Sequence, residues 1–109
     1  MPQALLDYLA PKKILLLGFG REGRSTYQYI RRHFPEKELS IADQNPVTLE
    51  DAHVTLHCGA HYLEAINRYD LVIKSPGITV RDLQISSSVE MTCQLDLFLR
   101  LSLIHISEP

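Results

Sequence analysis

One stretch, Lys13 to Arg24, constrains the fold more than any other. Ile14, Leu15, Leu16 and Leu17 form an uninterrupted apolar run, the pattern of a parallel strand covered on both faces. Gly18, Gly20 and Gly23 follow in the spacing GxGxxG. The first glycine permits a tight turn, the second lets a phosphate approach bare backbone, and the third lets a helix pack close to the strand. A helix opening near Glu22 aims unpaired N–H groups and the positive end of its dipole at an anion. The motif marks an anion or nucleotide site; a purely structural glycine turn is the competing reading.

The rest of the chain fits an α/β reading. Pro2 to Leu9 predicts a short helix with Leu5, Leu6 and Leu9 on one face, ended by Pro11. Tyr27, Ile30 and Phe34 continue the second helix until Pro35 stops it. Its arginines, Arg21, Arg24, Arg31 and Arg32, suggest a solvated basic face, with Arg21 and Arg24 also beside the anion site. Leu39 to Ala42 reads as a second strand with Asp43 at its end, and Gln44-Asn45-Pro46 as a turn. Thr48 to Ala52 suggests one helical turn capped by Thr48. Val54 to His57 is a third strand, and His61 to Tyr69 a short helix with Tyr62, Leu63 and Ile66 facing inward. Leu71 to Ile73 is a fourth strand, followed by a sharp turn at Lys74-Ser75-Pro76-Gly77. Val80 to Val89 fits neither period, Glu90 to Cys93 offers a fifth strand, and Gln94 to Leu103 has helical spacing. Strands separated by crossovers imply a Rossmann-like, mainly parallel sheet of four to five strands with helices on both faces. Right-handed crossovers gather the loops after the strands on one edge, where such sheets bind ligands. The glycine turn, Asp43 and Ser75-Pro76-Gly77 converge there.

Asp43 lies 20 residues after Gly23, the offset of a ribose-binding carboxylate; it suits a ribose diol or a base N–H. Ser75, Pro76 and Gly77 offer a hydroxyl, a fixed φ and a backbone that a planar ring can approach. His53, His57 and His61 recur every fourth residue, but β-branched residues and Gly59 break the helix that such a metal site needs, so no metal ligands are expected. Cys58 and Cys93 read as free cytosolic thiols. No GxxxxGK[ST] occurs, so no ATP-hydrolysing phosphate loop is expected. With 109 residues and a net charge of −2, the chain suits one modest domain without the basic excess that nucleic acid demands. No apolar run approaches a membrane span, and Met1-Pro2-Gln3-Ala4 does not open a signal peptide.

Lys13 to Tyr27, Ile41-Ala42-Asp43, and Tyr69 to Ile78 together resemble the N-terminal domain of the D-glutamate-adding Mur ligases of bacterial peptidoglycan synthesis. The resemblance runs from about Lys12 to Arg100, and the pairing of the glycine turn with Lys74-Ser75-Pro76-Gly77-Ile78 is its most specific part. It implies a cytoplasmic three-domain enzyme. The first domain, residues 1–100 here, holds the UDP part of UDP-N-acetylmuramoyl-L-alanine, the middle domain binds ATP and magnesium, and the last receives D-glutamate. Acyl-phosphate formation and attack by the amino group then give an amide, ADP and phosphate. By position, the resemblance implies that Phe19, Gly20, Arg21 and Glu22 meet the diphosphate through backbone N–H groups, that Asp43 and Gln44 flank the uracil, and that Ser75, Pro76 and Gly77 close over the base, with Gly18 and Gly23 structural. It transfers no catalytic residue, metal ligand or cofactor to this chain, which is expected to be inactive without its partner domains. Residues 101–109 depart from the family and resemble translated read-through of a sequencing adaptor. Three alternatives stay open: a sister Mur ligase, an NAD-binding domain of a dehydrogenase or sensor, and a non-enzymatic α/β module.

Overall fold

The computed structural model describes residues 3–80, 84–97 and 99. Five strands form one sheet: β1 (Ile14–Leu17), β2 (Leu39–Asp43), β3 (Val54–Cys58), β4 (Leu71–Lys74) and β5 (Glu90–Thr92). Their spatial order is β3-β2-β1-β4-β5, and every pairing is parallel. The central strand is the apolar run that follows Lys13. Ile14 pairs with Leu39 on one side and Leu71 on the other, and the register continues to Leu17, opposite Ala42 and Lys74. All four residues of β1 are buried, and full burial stabilises each such side chain by about 1.5–3 kcal/mol.

Alternation along the strands divides the core in two. On one face Ile14, Leu16, Leu39, Ile41, Leu71 and Ile73 pack with Leu5, Leu9, Phe19 and Ile30. These last come from α1 (Gln3–Leu9), α2 (Arg21–His33) and the glycine loop between β1 and α2. On the other face Leu15, Leu17, Ala42 and Val72 meet Ala65 and Ile66. α2 buries Gly23, Thr26 and Ile30, a stripe at helical spacing. Glu22 in its first turn and Arg31 and Arg32 in its last complement the macrodipole. Its ladder closes where the Phe34 N–H donates to Ile30 O at 2.7 Å, one residue before Pro35.

The second face is covered by the short helix expected over His61 to Tyr69, which spans Tyr62–Arg68 and is of the 3-10 type. The connection must return from the end of β3 to the start of β4. Seven residues at about 2.0 Å each cover about 14 Å, close to a four-residue strand, whereas an α-helix of that length covers only about 10 Å. Tyr62 and Leu63 are half-buried and Ile66 is fully buried.

Three expectations are corrected. Thr48 to Ala52 is not a helical turn: the segment is irregular and Thr48 is exposed. Val47 and Leu49 lie on the core instead, and Asp51 is captured by α2. The Asp51 carboxylate accepts from the Tyr27 hydroxyl at 2.5 Å, from Arg31 Nε at 2.9 Å and from the His53 N–H at 2.9 Å. For the same reason Arg31 does not belong to a solvated basic face: its side chain is only 16% exposed, and Nη1 also donates to the carbonyls of Phe34 and Lys37. The fifth strand ends at Thr92, not Cys93. Residues 94–97 and 99 are helical; the remainder of the helix expected to Leu103 and the whole of residues 101–109 lie outside the described residues.

Candidate functional site

The strand order reverses at β1, because the chain proceeds from β1 to β2 and β3 on one side and places β4 and β5 on the other. Loops leaving β1 and β4 therefore diverge and open a crevice at the C-terminal ends of the strands. That crevice is a cleft of about 450 Å³, within the usual range for small-molecule sites. Its walls include Gly18, Phe19, Gly20, Arg21 and Glu22 from the glycine loop and the start of α2. Asp43, Gln44 and Asn45 follow β2, and Ser75, Pro76 and Ile78 follow β4. Tyr62, from the 3-10 helix, completes it.

The glycines have distinct tasks. Gly18 has φ +95°, and a Cβ there would lie 2.6 Å from Ile78 Cδ1 and 2.9 Å from Ser75 Cβ. At Gly23 a Cβ would lie 2.1 Å from the Gly18 carbonyl oxygen, so the third glycine is what lets α2 start against the end of β1. Gly20 differs: a Cβ there meets nothing within 4 Å. It leaves open space on the cleft wall, where the motif expects a ligand to touch backbone. Gly77 adopts φ +90° after Pro76, the order of a type II turn, and stands outside the cleft lining.

Hydrogen bonds lock the three loops together. The Gly18 N–H donates to Ala42 O at 2.7 Å, and the Ser75 N–H to Leu17 O at 2.9 Å. Ser75 Oγ donates to Gly18 O at 3.3 Å. Lys74 Nζ donates to Ile78 O at 2.8 Å, bracing the Pro76-Gly77 turn. Asp43 accepts the Phe19 N–H at 2.7 Å through Oδ2 and the Asn45 N–H at 2.8 Å through Oδ1. The carboxylate thus borders the cleft and also fixes its loops. In consequence the Phe19 N–H, expected to face a diphosphate, is already engaged.

The next amides are unengaged. Gly20, the N-cap of α2, gives no side-chain cap, and the first bond of the helical ladder runs from the Arg24 N–H to Gly20 O at 2.9 Å. Arg21, Glu22 and Gly23 therefore present N–H groups without an acceptor among the described residues, at the positive end of a 13-residue helix. Arg21 is exposed and lines the cleft. Arg24 instead stacks over the Phe19 ring, 4.7 Å from its centroid, and does not line it.

Asn45, Tyr62 and Ile78 are cleft residues that the sequence reading did not assign to the site. Asn45 and Ile78 adjoin residues that it did. Tyr62 was legible only as an inward-facing residue; one side packs on the core while another faces the cleft. The histidines disperse: His53 Nδ1 lies 3.1 Å from Glu38, His61 Nδ1 lies 2.9 Å from Glu64, and His57 Nε2 lies 2.8 Å from the Tyr69 hydroxyl. Burial, and secondarily the Arg68 charge, holds the His57 pKa below its ordinary value. Cys58 is exposed and Cys93 half-buried, both as free thiols. No helix among the described residues is long and apolar enough to cross a membrane.

An all-parallel sheet in this order, with a glycine loop and an uncapped helix start at its switch point, defines a Rossmann-like α/β domain. The chain belongs to the Mur ligase family: the model of the MurD-like N-terminal domain matches residues 12–95. It is 33% identical over 79 residues to a UDP-N-acetylmuramoyl-L-alanine--L-glutamate ligase of Xanthomonas euvesicatoria pv. vesicatoria, covering 68% of this chain and 17% of that relative. A protein of the same name from Xanthomonas oryzae pv. oryzae is 36% identical over 75 residues, 62% of this chain and 15% of the relative. A UDP-N-acetylmuramoylalanine--D-glutamate ligase of Methylobacillus flagellatus is 28% identical over 89 residues, 75% and 19% of the two chains. The aligned part thus spans less than a fifth of these relatives. No solved structure matches the chain.

Proposed function

We propose that the cleft holds the uridine diphosphate part of UDP-N-acetylmuramoyl-L-alanine, and that the domain serves an ATP-dependent ligase adding glutamate to that substrate in peptidoglycan synthesis. The observation carrying this reading is the unspent N–H set of Arg21, Glu22 and Gly23 beside the open face of Gly20, opposite the Asp43-Gln44 and Ser75-Pro76 loops. The diphosphate accepts hydrogen bonds from those amides, with Arg21 supplying a cation at the rim. The planar base lies between the Asp43-Gln44 segment and Pro76. Asp43 accepts from a base N–H through a remaining lone pair, and Tyr62 and Ile78 give the ring an apolar wall. The domain is a cytoplasmic binding module: it orients the nucleotide and leaves the chemistry to the rest of the ligase. ATP and magnesium belong there too in this proposal, and no step through them is derived from the residues described.

A second reading concerns the amino acid. D-glutamate is the expectation from the sequence, yet the two Xanthomonas relatives carry L-glutamate in their names. L-glutamate is therefore the alternative to test, by incubating a ligase that carries this domain with each enantiomer.

Calorimetric titration of the chain with UDP-N-acetylmuramoyl-L-alanine, UDP and NAD tests the binding role. Saturable heat with the first two and none with NAD is expected. Binding of NAD alone would overturn the reading, because Asp43 would then be a ribose ligand of a dinucleotide.

A further inference from the structure

The opposite end of the sheet carries a second concavity, which the proposed function does not use. It is a groove of about 400 Å³ at the N-terminal ends of β1, β2 and β3, closed by the end of the 3-10 helix. Lys12, Lys13, Lys37 and Arg68 line it. These are four of the eleven Lys and Arg residues in a chain whose net charge is −2. Such a concentration of cations creates a local positive field that the overall charge conceals. None of the four is ion-paired with a carboxylate among the described residues.

The floor of the groove is polar and ordered. Ser40 is only 6% exposed. Its Oγ accepts from the Tyr69 hydroxyl at 2.7 Å, and that same hydroxyl lies 2.8 Å from His57 Nε2. Because Ser40 Oγ accepts in that contact and makes no other described hydrogen bond, its own proton is available to donate. Lys37 Nζ is held in place by Ala10 O at 2.8 Å, which uses one of its three donors. Burial lowers the Lys37 pKa, while the Asp70 charge acts the other way. Two carboxylates stand nearby, so the four cations face two anions at this end of the sheet. Glu38 lines it but contacts His53, and Asp70 Oδ2 accepts the backbone N–H of Lys13 at 2.9 Å.

We infer that this groove is an oxyanion-binding site of the phosphate class, separate from the cleft at the other end of the sheet. Lys13 and Arg68 supply the outer charges, Lys37 the inner one, and Ser40 a neutral donor at the base. The site is independent of the nucleotide reading, since it shares no residue with the glycine loop.

The test is titration of the ¹⁵N-labelled chain with inorganic pyrophosphate at constant ionic strength, following backbone amides. Two separable sets are expected to move: Gly20 to Gly23 at the cleft, and Lys13, Ser40, Arg68 and Tyr69 at the groove. The double variant Lys13→Gln, Arg68→Gln, with both positions exposed, should keep the spectrum of a folded protein. It should weaken the groove set at least tenfold while leaving the cleft set unchanged. Movement of the cleft set alone would overturn the inference. So would equal groove shifts with chloride at the same ionic strength, or an unchanged groove affinity in the double variant.

Discussion

At the scale of the residue, the glycine motif divides into one position left open on the cleft wall and two that serve packing. Gly23→Ala forces a Cβ against the Gly18 carbonyl, a backbone atom that cannot swing aside. Overpacking of this kind costs about 1–3 kcal/mol, so thermal unfolding of that variant should fall by several degrees. Gly20→Ala meets no protein atom. Its unfolding temperature should stay close to that of the parent while UDP affinity falls about tenfold or more, equivalent to about 1.4 kcal/mol. Calorimetry on the two variants separates the roles, and the proposal fails if Gly20→Ala binds UDP as the parent does. Asp43→Ala is a different case. The carboxylate holds the Phe19 and Asn45 amides, so its loss leaves the Phe19 donor unpaired in a buried residue at about 1–3 kcal/mol. Reduced stability should accompany reduced binding, and unchanged denaturation would contradict the observed ties.

At the scale of the element, α2 is pinned to the β2–β3 connection by Tyr27, Arg31 and Asp51. Burial alone would raise the Asp51 pKa. Hydrogen bonds from Tyr27 and His53 and the charge and hydrogen bond of Arg31 outweigh it, so the pKa lies below the ordinary 3.8. A depressed carboxylate stabilises the fold fully above its unfolded pKa, and that contribution disappears as pH falls through the folded value. Acid unfolding should therefore steepen below about pH 4. Asp51→Ala should flatten that limb and, by stranding Arg31 in a site where its side chain is 16% exposed, cost about 3 kcal/mol at neutral pH. Urea midpoints at pH 7 and at pH 3 check both effects. This network was invisible in the sequence. Arg31 and Asp51 are 20 residues apart, and the local pattern at Thr48 to Ala52 favoured a helical turn until a distant guanidinium and phenol claimed the carboxylate.

At the scale of the whole molecule, the sheet sets both stability and access. β1 is paired on both sides and wholly buried, whereas β3 at one edge leaves Leu56 39% exposed and β5 at the other has three residues. Hydrogen exchange should be slowest in β1 and β4 and fastest in β3 and β5; equal protection across the sheet would contradict this gradient. His57 adds a second pH dependence. Its pKa is lowered in the fold, so the unfolded chain takes up a proton that the native state resists. Stability should fall as pH drops from about 6.5 toward the folded pKa, and His57→Gln should remove that loss between pH 7 and pH 5.

The chain's local chemistry determined a great deal by itself. Hydrophobic runs and turn residues marked all five strands to within a residue or so, most clearly β1, where burial on both faces demands a continuous apolar segment. The glycine spacing announced a tight strand-to-helix turn, because only glycine tolerates φ +95° at Gly18 and the backbone approach at Gly23. Tertiary structure decided what depends on residues far apart in the chain meeting in space. It chose the strand order that sets β4 beside β1 and so opens the cleft. It turned Asp43 toward the Phe19 amide and drew Arg31 out of the solvated face. It also placed Tyr62 on the cleft wall and gathered Lys12, Lys13, Lys37 and Arg68 around one groove. Each of those outcomes is set by sheet topology and by competition for partners, which no local window of sequence contains.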